Sequence, residues 1–266
     1  MAMRTISSAL APVLAELELD QPLVVTLADL ESVLARTGHT NPASAAKVAY
    51  ELQRRGWLGT LRTQGSWEFY PAARAGAFGS GDRFVELRAL RRRDPLWPGV
   101  LAMESAASVL GLAQRLPSAE VIALPRGVRA PDALGAWRTV RTTIPVVGTT
   151  TVSDLPTWNL EALLAGIASR PSNYRDLPGM AQWLPTITPD LPRLHQCLTG
   201  ATNAARQRTA YLLSIAGLQE AARELVSARP RQTAWFGPRR PGGHYDHPSG
   251  VIDTLLAPYL TTTAAA

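Results

Sequence analysis

The sequence predicts an α+β chain: a small N-terminal head over residues 1–78, then a larger, mixed α/β, helix-rich domain over 82–266. Three observations predict it. Apolar residues keep a helical period as far as Arg55 and then switch to alternation, as helices followed by a hairpin do. The stretch Gly76-Ala77-Phe78-Gly79-Ser80-Gly81 interrupts both patterns and reads as a boundary. The chain, at 266 residues with 46% hydrophobic content, is also longer than one core usually grows and too apolar for global disorder.

The head unfolds in order. Ile6, Leu10, Val13, Leu14 and Leu17 recur at helical spacing, and the first helix ends before Gln21-Pro22. Leu23–Val25 is a short extended run. Thr26 caps a second helix, with Asp29 in the capping-box position, an apolar stripe of Leu27, Leu30, Val33 and Leu34, and Gly38 as its stop. Asn41-Pro42 places a cap before a proline in the first turn of a third helix, which runs to Arg55 and stops at Gly56. Trp57, Leu58 and Leu61, then Trp67, Phe69 and Tyr70, flank a turn at 63–66 and predict a two-stranded hairpin.

Beyond the glycines, helices are predicted at 82–93 and 98–110 and strands at 121–124 and 137–144, the strands separated by a turn at Pro131-Asp132. Five helices follow, at 159–169, 174–184, 191–198, 202–215 and 218–228. A strand at 233–236, a loop rich in Gly, Pro and His, and a closing helix at 251–260 complete the reading.

Three helices and a hairpin in this order make a winged helix-turn-helix. The third helix divides into an inner face of Ala45, Val48, Ala49 and Leu52 and an outer face of Ala43, Lys47, Tyr50, Glu51 and Arg54. Small residues at its start and cations later suit insertion into a major groove. Asn41, Ser44 and Lys47 are the candidate base readers. Tyr50, Arg54 and Arg55 are placed for the backbone, and Arg62 and Gln64 lie on the wing. Residues 1–38 balance to −3 and residues 39–80 to +3, so charge falls on the expected side but weakly. A second basic surface is expected to help, and Arg88, Arg91, Arg92 and Arg93 are the candidates.

Other chemistry is mostly excluded. Lys47, the only lysine among 27 basic residues, precedes valine, which removes a nucleotide-binding P-loop and an Asp/Glu-x-Lys nuclease centre. No nucleophile elbow or His-Glu-x-x-His helix occurs. His244, Asp246 and His247 lack a further ligand at diagnostic spacing, so no metal and no cofactor is expected. Glu104 and Glu161 sit in apolar helices, where a capping or surface role outweighs a catalytic one. Cys197 alone cannot form an internal disulfide, and no apolar run is long enough to span a bilayer, so a cytoplasmic, non-enzymatic protein without membrane association is expected.

Three stretches resemble the AbiEi-type antitoxins, transcriptional autoregulators of abortive-infection (type IV) toxin–antitoxin pairs, particularly the longer mycobacterial-type members. They are residues 50–58 leading into the hairpin that ends at Pro71, residues 159–171, and residues 205–213. The resemblance implies that the head binds inverted repeats of double-stranded operator DNA in its own promoter and represses the operon. It implies that the larger domain neutralises a cognate nucleotidyltransferase toxin, directly or indirectly. A monomer that pairs on repeated sites is the expected state. Arg206 and Arg208 offer a further surface, read first as a solvated face. The alternative is a winged-helix regulator whose C-terminal domain senses a small molecule.

Overall fold

The computed structural model describes residues 10–38, 43–72, 80–226 and 232–263. The chain divides into two compact units, residues 1–97 with Pro131–Gly135, and the remainder.

The first unit contains α1 (Ala11–Asp20), β1 (Val24–Thr26), α2 (Leu27–Arg36), α3 (Ala43–Arg54), β2 (Leu58–Thr60), β3 (Ser66–Phe69) and α4 (Val85–Arg93). Gln21 closes α1 in a left-handed conformation (φ 43°), donating its N–H to the Leu17 carbonyl at 2.8 Å. Thr26 ends β1 and caps α2: its hydroxyl accepts from the Asp29 N–H at 3.2 Å, and the Asp29 carboxylate accepts from the Thr26 N–H at 2.8 Å. Gly56 turns the chain out of α3 at φ 77°, a conformation that costs a residue with a Cβ. The extended run after α1 does more than connect helices. It pairs antiparallel with β3, giving a three-stranded sheet of order β1-β3-β2. Leu17, Leu30, Leu34, Leu52, Leu58 and Phe69, each nearly inaccessible, form the core beneath it.

The glycine-rich stretch, largely outside the described residues, is not where packing changes. Its successor α4 lies against β1 and β3 and buries Leu87, Ala89 and Leu90 in the first unit, which therefore runs to Trp97 rather than 78.

The second unit contains β4 (Val100–Leu101), α5 (Met103–Val109), β5 (Val121–Pro125), β6 (Arg138–Thr142), β7 (Thr149–Val152), β8 (Leu155–Trp158), α6 (Leu160–Ser169), α7 (Leu177–Trp183), α8 (Leu191–Cys197), α9 (Asn203–Ile215), α10 (Gln219–Leu225), β9 (Ala234–Phe236), β10 (His244–Asp246), β11 (Val251–Asp253) and α11 (Ala257–Thr263). A five-stranded mixed sheet, β6-β5-β4-β8-β7, and a three-stranded sheet, β10-β11-β9, are both present. The helix α6 is buried along eight consecutive residues, so it is enclosed on all sides rather than amphipathic. Asn159 caps it, and Gly166 is where the Trp158 ring passes: a Cβ there would lie 2.4 Å from the ring.

Four expectations change, the first being that the loop rich in Gly, Pro and His contains the strand β10, paired antiparallel with β11. The helix expected at 98–110 begins as β4, and the closing helix expected at 251–260 begins as β11, paired parallel to β9. The hairpin β7–β8 has no counterpart among the predicted strands; Ser153 and Asp154 form its turn with φ of 48° and 62°. In these last three cases the deciding partner is remote in sequence or the turn lacks glycine, so local periodicity carries no trace of it.

The buried Asp253 side chain is tied down. The Asp253 carboxylate accepts from the Tyr211 hydroxyl at 2.7 Å and from the N–H groups of Leu255, Leu256 and Ala257 at 2.7, 2.8 and 2.5 Å. Burial and the Asp253 charge together push the Tyr211 phenol well above its ordinary range, so it stays a donor. Burial pushes the Cys197 thiol up to about 11, with Glu161 adding to the effect, which leaves it a packing residue with little thiolate. No helix among the described residues is long and apolar enough to cross a membrane.

Candidate nucleic-acid interface

The helix α3 presents two unlike faces. Ala45, Ala49 and Leu52 are buried and Val48 packs against the same core, while Lys47, Tyr50 and Arg54 are exposed, Tyr50 by 63%. The hydrophobic spacing therefore points the predicted outer face outward. Of the proposed base readers, Lys47 stands on this face, Ser44 lies in the first turn of α3, and Asn41 falls outside the described residues.

Glu51 sits among the cations. Its Oε2 lies 3.3 Å from Arg54 and 3.5 Å from Arg55, at i,i+3 and i,i+4 spacing. Such a pair at the surface is worth about 0–1 kcal/mol, so the exposed Arg54 can exchange this partner for a phosphate at little cost, whereas the Arg55 side chain is only 24% exposed. Sequence reasoning assigns no role to Gln53, yet it joins the helix to the wing. Its amide donates to the Thr60 hydroxyl at 2.8 Å, and its carbonyl accepts from the Trp67 indole N–H at 3.2 Å. The signal is a polar residue on α3 facing an alternating strand, visible only once the hairpin is folded back.

The wing turn is held from α4. The Glu86 carboxylate accepts from the N–H groups of Arg62 and Thr63 at 2.6 and 3.1 Å and from the Thr63 hydroxyl at 2.9 Å. Arg62 and Gln64 are exposed, so the wing offers one cation and one amide on a fixed turn.

The expected second basic surface is mostly consumed inside the unit. Arg88 pairs with Asp82 at 2.7 Å, Arg91 donates to the Trp97 carbonyl at 2.6 Å, and Arg92 grips Asp29 with two bonds of 2.8 Å. Arg93 reaches the Gln64 carbonyl at 3.4 Å. These arginines clamp α4 to the wing and to the start of α2; as a phosphate surface the cluster is reduced chiefly to Arg93. Sequence spacing reports the charge but not the carboxylates and carbonyls that absorb it.

Burial alone would raise the Asp29 carboxyl, but hydrogen bonds from Arg92 and Thr26 outweigh it and hold the group below its ordinary 3.8. A carboxylate lowered in the folded state adds stability that is present above the unfolded value and lost as pH falls through the folded one. Arg92→Ala is accordingly expected to cost about 0.5–1 kcal/mol at neutral pH, since the pair is partly exposed. Its deficit should shrink as pH drops below 3.8. Denaturant titrations of both proteins at neutral and acid pH check this; a deficit unchanged by pH would contradict it.

The remaining candidates have partners inside the second unit. Glu104 accepts from the Arg138 guanidinium and the Arg175 N–H, and Glu161 accepts from the Asp190 N–H at 2.8 Å. Arg208 donates to the carbonyls of Trp235, Ala168 and Ser169 at 2.6, 3.0 and 3.4 Å, and burial lowers its basicity. Arg206 donates to the Leu198 carbonyl at 3.1 Å. Neither is the purely solvated side chain expected. Asp246 accepts from Ser249, and among the described residues no cluster of three metal-ligating side chains occurs.

The whole chain is similar to a solved protein. The crystal structure of the Rv2827c protein from Mycobacterium tuberculosis matches with a TM-score of 0.81 and 28% sequence identity, over 99% of this chain and 97% of that one. No protein-family model matches the sequence, and no curated relative matches it.

Proposed function

We propose that this chain is a non-enzymatic, DNA-binding autoregulator and antitoxin, its first unit binding inverted repeats in its own promoter and its second antagonising a nucleotidyltransferase toxin. The outward face of α3, with Lys47, Tyr50 and Arg54 exposed beside a wing sheet braced by Gln53, carries the DNA-binding half. Likeness to the mycobacterial protein along nearly the full chain supports an architecture shared from end to end. The antitoxin half rests on the sequence resemblance at residues 50–58, 159–171 and 205–213.

Two measurements test the two halves. A fragment of the chain's own promoter should be footprinted as two protected half-sites. The reading frame beside this gene should encode a nucleotidyltransferase, and co-expression of the full chain should relieve the growth arrest that enzyme causes. Protection without relief leaves a regulator with no antitoxin role; relief without protection removes the DNA-binding half.

One observation favours a second reading, small-molecule sensing. A cavity of about 300 Å³ in the second unit is lined by Tyr211, Ile215, Ala222 and Val226, with Arg223 and His244 also on its lining, the combination of apolar wall and few polar groups that ligand sites use. A compound that seats there and shifts operator affinity would establish it.

A further inference from the structure

Parallel pairing of β5 with β6 sets their carboxyl ends side by side, Pro125 opposite Thr142. Arg126 follows the first strand, Arg141 stands next to the end of the second, and Arg170 follows α6. All three line one pocket of about 120 Å³ together with Thr143, Ser169 and Asn173, and no carboxylate lines it. Among the described residues none of the three is in an ion pair, whereas Arg88, Arg92 and Arg138 are.

Two further features prepare the place for an anion. Arg141 donates from Nη1 to the carbonyls of Pro125, at 3.1 Å, and of Val128, which fixes its guanidinium plane and leaves other donors unused by them. The carboxyl end of α6 would repel a negative charge, but its Ala168 and Ser169 carbonyls already accept from Arg208.

We infer that this pocket binds a small polyphosphate anion of the pyrophosphate class, either free or as part of a nucleotide. Guanidinium groups and hydroxyls lining one pocket can match phosphoryl oxygens with charge-assisted hydrogen bonds. The volume suits one or two phosphoryl groups and falls below that of drug-sized ligand sites, and the three cations share the lining of one small pocket instead of tracking a polymer backbone. The inference does not depend on operator binding or on toxin antagonism.

Calorimetric titration of the full chain with inorganic pyrophosphate, sulfate and a nucleoside triphosphate tests it. Pyrophosphate should bind at least about tenfold more tightly than sulfate, and Arg126→Gln with Arg170→Gln should weaken it by about tenfold or more. Arg193→Gln with Arg239→Gln, both exposed and away from this pocket, removes equal charge elsewhere and should change it less than about twofold. A triphosphate that binds far more tightly than pyrophosphate identifies a nucleotide as the source; equal affinities identify the bare anion. Both removed arginines are exposed, so the variant should keep its circular dichroism spectrum and its operator affinity. No measurable pyrophosphate binding in the millimolar range, or equal loss in the two double variants, overturns the proposal.

Discussion

Replacing Lys47 and Arg54 together by alanine is expected to weaken operator binding at least about tenfold and to flatten its salt dependence by about one to two units of slope. Both side chains are exposed on the outer face of α3, and neither supports the core formed by Ala45, Ala49 and Leu52. Each phosphate that is no longer neutralised takes about 0.9 off the slope of log affinity against log salt, so the slope separates a DNA-facing cation from a folding defect. Loss of Arg54 also frees Glu51 from one partner and leaves Arg55 as its other, which places an extra negative charge near the DNA. Fluorescence anisotropy with the operator between about 50 and 200 mM salt measures both quantities. Affinity and slope both unchanged would remove α3 as the recognition helix.

The largest loss of stability is expected from Asp253→Ala. The residue is 1% exposed, and its carboxylate serves three peptide N–H groups at the start of α11 and the Tyr211 hydroxyl from α9. Alanine strands four donors at once, the Leu256 N–H and Tyr211 hydroxyl buried and the Leu255 and Ala257 N–H groups partly so. With about 1–3 kcal/mol for each unsatisfied group, tempered by water entering the gap, the net cost is about 3–5 kcal/mol. Tyr211→Phe removes one partner only and should cost about 1–2 kcal/mol. Denaturant unfolding followed by tryptophan fluorescence orders the variants, and a milder effect for Asp253→Ala than for Tyr211→Phe would refute this account. Operator affinity of the folded fraction should not change, because both groups belong to the second unit.

The first unit is legible in the sequence because its devices are local. Thr26 with Asp29, Gly38, Gly56 and the alternation after Trp57 each specify a conformation within a few residues, and each appears where expected. The second unit is legible in its helices, whose caps at Asn159 and Thr202 are equally local. It is opaque in its sheets. The two-residue strand β4 gains its identity from partners at Ile122, Ala123 and Thr157, and β11 from Ala234 to Phe236, so no window around either contains the reason.

The interface divides the same way. Lys47, Tyr50 and Arg54 follow from the period of one helix, whereas the disposition of Arg88, Arg91 and Arg92 depends on Asp82, the Trp97 carbonyl and Asp29. These three are spent on internal partners, and of their cluster Arg93 is the cation held most loosely. Charge read along a chain gives the number of cations, and only the fold says which remain for a ligand.

The helix α4 bears on how this protein can be cut. A break at the glycine-rich stretch would send Leu87, Ala89 and Leu90 away with the second unit while their burial partners stay with the first. The larger piece would then display a greasy helix that had left its seat, and the smaller would lose Glu86 and Arg92, the fasteners of its wing turn and of α2. A break after Trp97 keeps α4 at home yet forfeits the short return of residues 131–135. Halves made at either place would be prone to clump, and a protease that cut at the glycines would loosen the first unit from behind rather than by touching α3.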